Sequence, residues 1–231
     1  MGAYLACEGI YRRAASQMSW LLKREVSHSS IQRMVCQVGN RIADGEEAER
    51  RSVFEAGEAI PGGKVKADVL FGESDGAWLH LQREKRRSVE VRVGTLYSGK
   101  RPLVKNRYRL ADKCSLVSLG ISGSAWQEQV LKAAHRYYDL EQTWLLICGG
   151  DGNQWVRHTF QGFGMQQEFV LDRFHLSRAA RRAMGNRHRA HEMVKKLRQQ
   201  GFPVVHQELM QLIEQASGKE KNEIEAGLSV Y

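Results

Sequence analysis

Apolar residues recur at helical spacing over residues 9–43, and this pattern predicts two or three short helices. Ala14 and Met18 share one face of the first helix. Ser27 stands at an N-cap position before the second helix, and Ile31 begins the apolar face of that helix. The order of a helix, a short polar turn and a second helix predicts a helix-turn-helix outline.

Residues 44–66 are charged and contain several glycines. The part up to about residue 59 is compatible with a solvated helix, and the Pro-Gly-Gly sequence at residues 61–63 ends any helix there. We therefore interpret this segment as a linker between two domains.

The pattern changes to strands after residue 67. Short apolar runs at residues 69–71 and 77–81 form one extended segment that a polar stretch interrupts. Residues 88–96 alternate between apolar and polar side chains, which is typical of a half-buried strand. A turn at residues 97–100 ends that strand, and residues 114–121 supply a third one.

A helix and two buried strands follow. The apolar spacing predicts a helix over residues 124–138, then strands at residues 143–148 and 168–171. Beyond these, the chain is basic and helical to about residue 200, where a Gly-Phe-Pro sequence breaks the helix. A last helix over residues 205–215 leads into a polar tail.

The order of three strands, a helix, a strand, a connecting segment and a further strand is that of an RNase H-like domain. The predicted fold class is therefore α/β (α+β), with a mixed sheet, flanking helices, a helical segment before the sheet and a basic helical region after it. The predicted domains are a helix-turn-helix segment at 1–43, a linker at 44–66, an RNase H-like core at 67–176 and a basic helical region at 177–231.

The composition is that of a soluble globular chain, with 42% hydrophobic and 26% charged residues among 231. No apolar run approaches the roughly 18 residues that a membrane span needs. The N-terminus lacks the apolar core of a secretory signal. The four cysteines show no C-x-x-C pairing, so a zinc knuckle or a disulfide framework is not indicated. We expect a reducing, cytoplasmic setting and no membrane partner.

The formal net charge of +9 fits either a generic basic surface or a polyanionic partner, and the clustering of the basic residues favours the partner. Two basic clusters account for much of this charge. The first comprises Arg83, Lys85, Arg86 and Arg87, and the second extends over residues 173–198. In the second cluster, four arginines at helical spacing suit a DNA backbone track: Arg178, Arg181, Arg182 and Arg189.

The helix-turn-helix outline supplies a second candidate DNA contact. In that motif the residues at the start of the second helix meet base edges in the major groove. Here those residues are His28, Ser29, Gln32 and Arg33. An ordinary helical hairpin fits the same pattern, so both interpretations remain open.

Two aspartates are placed for metal chemistry. Asp75 lies in the first strand segment and Asp151 follows the fourth strand, and these strands are neighbours in an RNase H-like sheet. Mg²⁺ takes one or two protein carboxylates together with waters and substrate phosphate. Two such ions support in-line attack on a phosphodiester. Each aspartate also precedes a glycine, so an ordinary Asp-Gly turn is the alternative.

Three segments resemble the ISLre-type bacterial insertion-sequence transposases, which belong to the DDE class and have an RNase H-like core. These segments are SDGAWLHLQRE at residues 74–84, GDGNQWV at 150–156 and LDRFHLSR at 171–178. The resemblance covers about residues 9–200 and includes the predicted helix-turn-helix. It implies DNA cleavage and strand transfer in the bacterial cytoplasm, at the nucleoid.

The resemblance also implies roles for individual residues. Asp75 matches the first acid and Asp151 the second, so both are metal ligands for Mg²⁺ or Mn²⁺. Asp172 and His175 match a D-x-x-H element close to the active site of related transposases. The expected partner is double-stranded DNA at the element ends, and a second copy of the chain is a further candidate.

The third acid of the DDE triad has no match in a recognisable motif. The glutamates that follow the D-x-x-H element are Glu192, Glu208, Glu214, Glu220, Glu223 and Glu225. We therefore expect a truncated transposase copy with little catalytic activity. Two alternatives remain, a DNA-binding remnant without chemistry and an RNase H-like nuclease unrelated to transposition. Asp172 and His175 also have a structural alternative, in which they bond to each other and rigidify the strand-to-helix junction.

Overall fold

The computed structural model describes residues 1–82 and 85–228. Arg83 of the first basic cluster, Glu84 of the segment at residues 74–84 and the final residues 229–231 lie outside the described residues, as does the side chain of Glu220. The chain divides into two compact units, Met1–Ala59 and Ile60–Tyr231. Within the described residues, no helix has the length and apolar character to cross a membrane.

The first unit consists of three helices: α1 (Gly2–Cys7), α2 (Tyr11–Leu22) and α3 (His28–Phe54). The predicted N-cap is confirmed, because the Ser27 hydroxyl accepts a hydrogen bond from the Ser30 amide at 3.1 Å. Helix α2 ends at Lys23, which adopts a left-handed conformation. The core that joins the helices consists of Ala14, Ala15, Met18 and Ile31.

Helix α3 continues well beyond residue 43, into the segment that we interpreted as a linker. The charged residues of that segment stabilise the helix, since Glu47 pairs with Arg50 at 2.8 Å and with Arg51 at 2.9 Å. These i,i+3 and i,i+4 pairs lie on one side of the helix surface. Helix α3, and with it the helical part of this segment, ends at Phe54.

The second unit is built on a five-stranded mixed sheet in the order β5-β2-β1-β6-β7. Strands β1 and β2, and β2 and β5, are antiparallel, whereas β1, β6 and β7 run parallel. This arrangement confirms the predicted α/β (α+β) class with an RNase H-like mixed sheet. The strands of this sheet are β1 (Val69–His80), β2 (Ser88–Tyr97), β5 (Cys114–Leu119), β6 (Leu145–Gly150) and β7 (Gln166–Leu171).

Strand β1 is continuous, although the sequence predicted an interruption after residue 71. Its polar residues pair with β2 without a break, with Glu73 opposite Thr95 and Asp75 opposite Val93. The backbone hydrogen bonds of the ladder therefore outweigh the turn preference of the Asp-Gly dipeptide at Asp75. The turn interpretation of Asp75 is wrong.

A second hairpin lies between β2 and β5, where the sequence predicted only a turn. It consists of β3 (Gly99–Val104) and β4 (Arg107–Ala111). Asn106 in the connecting turn has a positive φ of 64°. Asparagine tolerates this conformation better than most residues, which makes it a usable hairpin signal.

One face of the five-stranded sheet is covered by α4 (Gly123–Tyr137) and α5 (Gln154–His158), and a short 3₁₀ helix follows α4 at Leu140–Gln142. The predicted apolar face of α4 is confirmed, because Trp126 and Val130 are buried. The Trp126 indole also donates a hydrogen bond to the Ser74 hydroxyl at 3.2 Å. This bond joins α4 to β1 one residue before Asp75.

The C-terminal region forms a helical bundle with its own core. It comprises α6 (Arg173–Met184), α7 (Arg187–Gln200), α8 (Phe202–Gln215) and α9 (Gly218–Leu228). The predicted basic helical stretch is two helices, because Gly185 adopts a left-handed conformation and ends α6. Helix α8 starts earlier than predicted, since Pro203 is tolerated in a first helical turn. Helix α9 occupies the predicted polar tail.

Candidate active site

Asp75, Asp151 and Asp172 stand side by side on three adjacent parallel strands. Ser74 of β1 is the register partner of Gly150 in β6, and Gly150 is the partner of Leu171 in β7. The residue that follows each of these three in the chain is an aspartate: Asp75 lies within β1, and Asp151 and Asp172 directly follow β6 and β7. The Asp172 amide donates to the Gly150 carbonyl at 3.0 Å. Neighbouring strands lie about 4.8 Å apart, so these three aspartates form a row across the sheet, which we call the aspartate row.

The aspartate row lines a cavity of about 440 Å³ on the sheet face opposite α4. The apolar walls come from side chains such as Phe71, Ile147 and Val170. The polar side chains include four carboxylates and one imidazole: Glu73, Asp75, Asp151, Asp172 and His175. The structure thus brings all four residues that the sequence assigned to catalysis into one cavity.

The Asp75 carboxylate is exposed and accepts a hydrogen bond from the Gly76 amide at 2.7 Å. The backbone at Gly76 is closely covered, because a Cβ there would lie 2.9 Å from the Trp155 ring and 3.2 Å from the Glu90 carboxylate. Trp155 in turn stacks on the buried Arg92 guanidinium, which lies 4.6 Å from the ring centroid. These contacts fix the backbone beside Asp75 and leave its carboxylate open to the cavity.

Asp151 ends β6 in a bend that its own side chain stabilises. Its Oδ1 accepts a hydrogen bond from the Asn153 amide at 2.9 Å, and its Oδ2 accepts one from the Asn153 side chain. Gly150 permits close packing here, since a Cβ at this position would overlap Val156 and lie 2.8 Å from the Ser74 carbonyl oxygen. The Gly-Asp sequence therefore has a steric cause in the contact of β6 with β1 and α5.

Asp172 is the N-cap of α6, and its Oδ1 accepts a hydrogen bond from the Phe174 amide at 2.7 Å. His175 Nδ1 lies 3.7 Å from Asp172 Oδ2, which is beyond hydrogen-bond range. That nitrogen is buried and has no hydrogen-bond partner within the described residues. The expected bond between the two side chains is therefore absent, and the cap rather than the histidine rigidifies the strand-to-helix junction.

Glu73 and Tyr97 are cavity residues that the sequence analysis missed. The Tyr97 hydroxyl donates a hydrogen bond to Glu73 Oε1 at 2.7 Å. Burial, and then the neighbouring Glu73 carboxylate, raise the pKa of Tyr97 above its ordinary value, so the hydroxyl stays protonated as a donor. The available signal was the spacing of two residues between Glu73 and Asp75, which places both on one face of a strand.

Asp75 and Asp151 fit a divalent cation such as Mg²⁺ or Mn²⁺. They supply hard oxygen ligands, and Mg²⁺ requires only one or two protein carboxylates when waters and phosphate complete its shell. Among the described residues, however, no group of three or more His, Cys, Asp or Glu side chains converges to hold a metal ion. The residues therefore fit one ion held by a carboxylate pair, and a second ion lacks protein ligands in this part of the chain.

The predicted DNA-contacting residues of the first unit all lie on the exposed side of α3. Ile31 between them is buried, and Ser30 is partly buried. The exposed residues occupy the first two turns after the N-cap, at positions separated by four residues, and are His28, Ser29, Gln32 and Arg33. Their contact with DNA stays a prediction.

All four arginines of the predicted track in the second unit are exposed, but they do not line one common surface. Arg181 lines a basic cleft between α6 and α7. Arg178, Arg182 and Arg189 are exposed outside that cleft.

The chain belongs to the uncharacterised protein family UPF0236, whose sequence profile matches residues 3–229. No protein in a search of curated sequences matches it.

Proposed function

We propose that this protein is a DNA-processing enzyme of the ISLre-type transposase class, which binds double-stranded DNA and cleaves phosphodiester bonds with a divalent metal ion. The observation that carries this proposal is that Asp75 and Asp151 directly follow the register partners Ser74 and Gly150 of two parallel strands and line one cavity. The sequence segments around these two residues resemble those of the transposases. The carboxyl edge of parallel strands is also where α/β sheets bind their ligands.

The carboxylates of Asp75 and Asp151 would hold Mg²⁺ or Mn²⁺ at this edge of the sheet. When bound, the ion supplies positive charge that stabilises the oxyanions of phosphodiester cleavage and lowers the pKa of a bound water. The Gly76 amide and the Asn153 side chain orient the two carboxylates. His175 lines the same cavity, and its Nδ1 is buried and reaches no hydrogen-bond partner among the described residues.

A second candidate function is DNA binding without chemistry. It is favoured by the absence of a group of three metal ligands among the described residues, because two-metal catalysis needs additional carboxylates to hold the second ion. In this case the carboxylate pair would still bind a single ion, and the helices would bind DNA.

One assay separates these functions. Duplex DNA that carries the element ends is incubated with the full chain and Mg²⁺ or Mn²⁺, with Asp151→Ala and Asp68→Asn as variants. Asp68 precedes β1 at the far end of the strand and is the matched control. Metal-dependent nicking that Asp151→Ala abolishes and Asp68→Asn preserves supports the enzyme. Salt-dependent binding without nicking supports the second function, and cleavage of RNA–DNA hybrids without end preference indicates a nuclease of another kind.

A further inference from the structure

A cleft of about 470 Å³ lies between α6 and α7. Ala190 and Val194 contribute its apolar lining, and Ser177 and His191 add polar groups. The charged lining is entirely basic and consists of Arg173, Arg181, Arg187, Lys195 and Arg198. We call this feature the basic cleft.

The cations of the basic cleft form two facing stripes. Arg173, Ser177 and Arg181 are four residues apart on α6 and therefore share one face of that helix. Arg187, His191 and Lys195 repeat the same spacing on α7, and Arg198 extends the stripe by one turn. Arg182 is adjacent to Arg181 in the sequence but points about 100° away around the helix.

The positive charge of the basic cleft is not compensated. None of the lining residues is acidic, and none of the five cations has an ion-pair partner in the described part of the chain. Outside the cleft, Lys196 of α7 is paired with Glu208 at 2.8 Å. Like charges around one concave surface repel each other, and a bound polyanion relieves this repulsion.

We propose that the basic cleft binds the sugar-phosphate backbone of one strand of duplex DNA. The stripe on α7 from Arg187 to Arg198 extends over about 16 Å at 1.5 Å per residue. Its length is therefore sufficient to contact several successive phosphates of one DNA strand. A single phosphate or a nucleotide would leave most of these cations without a partner.

The basic cleft and the acidic cavity border the same helix, α6. Arg173 lines the cleft, and Asp172, the residue before it, lines the cavity. Helix α6 contributes His175 to the cavity and Ser177 to the cleft, within the same two turns. A strand held in the cleft would therefore lie beside the cavity that contains Asp75 and Asp151. The choice of DNA as the polyanion rests on the proposed function, whereas the phosphate chemistry follows from the cleft itself.

The test compares two triple variants that remove the same charge from the same two helices. The cleft variant is Arg181→Gln, Arg187→Gln and Arg198→Gln, and the comparison variant is Arg178→Gln, Arg182→Gln and Arg189→Gln. Binding of a short labelled duplex by the full chain is followed by fluorescence anisotropy over a range of salt concentrations, with EDTA present. A plot of the logarithm of the association constant against the logarithm of the salt concentration has a negative slope. We expect this slope to be smaller in magnitude by about 2.7 in the cleft variant, because each of the three lost phosphate contacts removes about 0.9. At about 0.1 M salt this corresponds to a loss of affinity of several hundredfold.

The comparison variant removes the three arginines of the predicted DNA backbone track that lie outside the cleft. If the cleft and not that track holds the DNA backbone, this variant loses less than tenfold in affinity, with a slope that changes by less than about one. Equal losses in both variants would overturn the assignment of the cleft, and so would a loss confined to the comparison variant. A cleft variant that loses affinity for double-stranded RNA but keeps its affinity for DNA would overturn the choice of polyanion. Circular dichroism confirms that each variant is folded. Because this assay contains no metal and no cleavage step, its failure leaves the test of the proposed function unaffected.

Discussion

Replacing Gly150 by alanine tests how closely the strand that carries Asp151 is packed. A Cβ at this position would overlap Cγ1 of Val156 and lie 2.8 Å from the carbonyl oxygen of Ser74. Val156 is fully buried, and the Ser74 oxygen belongs to the backbone of the neighbouring strand, so neither atom moves without a shift of α5 or of the β1–β6 ladder. Overpacking of this kind typically costs about 1–3 kcal/mol.

Gly149→Ala is the matched control, because its Cβ would point to the opposite face of the same strand. Its nearest neighbour there would be Cγ of Glu73 at 3.5 Å, an ordinary van der Waals contact. Glycine in a strand is less favourable than alanine by about 0.5–1 kcal/mol, so the control is expected to be neutral or slightly stabilising. The difference in unfolding free energy between Gly150→Ala and Gly149→Ala therefore measures the cost of the steric contact at Gly150.

The assay is thermal unfolding of the full chain by differential scanning calorimetry. For a domain of this size, 1 kcal/mol shifts the transition by about 2–4 °C, so we expect Gly150→Ala to unfold about 2–12 °C below Gly149→Ala. The same shift displaces Asp151, and Mn²⁺ binding should weaken in parallel. Equal transition temperatures would refute the close packing of β6 against β1 and α5 as the cause of the Gly-Asp sequence.

Three further outcomes follow from the same structure. Asp172→Ala should destabilise the chain by about 1 kcal/mol in urea unfolding, whereas Asp172→Asn should not, because asparagine also caps helices; equal effects of both changes would contradict the capping role. Ser74→Ala should cost about 1–3 kcal/mol, since it leaves the buried Trp126 indole without its acceptor, and a neutral result would exclude that hydrogen bond. Burial raises the pKa of the Cys148 thiol from 9.0 to about 12, and the pKa of Tyr97 is raised as well. At high pH the folded state therefore keeps protons that the unfolded chain releases. The free energy of unfolding should decline as the pH rises above about 9, and a constant free energy of unfolding up to pH about 11 would contradict this.

The five strands of the main sheet could be predicted from the sequence, because their patterns of apolar and polar residues differ. The apolar run of β6 identified a buried parallel strand, and the alternation over residues 88–96 marks the antiparallel β2. Strand β7 is parallel as expected but largely exposed, because it lies at the edge of the sheet. The apolar spacing of Trp126 and Val130 likewise identified the buried face of α4. These features depend on local periodicity, which a single sequence displays.

The features that the sequence did not predict depend on pairing between distant residues. Nothing local shows that Asp75 pairs with Val93 or that the Tyr97 hydroxyl reaches Glu73, since these contacts join different strands. The basic cleft was missed for the same reason. Periodicity on α6 selected Arg178 and Arg182, whereas the facing helix α7 determines which arginines line a concave surface.

The proposed function depends on a metal site at Asp75 and Asp151 of the aspartate row, and Mn²⁺ binding tests that site most directly. The bound fraction is measured by electron paramagnetic resonance for the full chain and for Asp75→Asn, Asp151→Asn and Asp68→Asn, without DNA. We expect one Mn²⁺ per chain, with at least tenfold weaker binding after either change in the row and unchanged binding in Asp68→Asn. Binding of equal strength in all four proteins, or no Mn²⁺ binding by the unaltered chain, would contradict a metal site at Asp75 and Asp151.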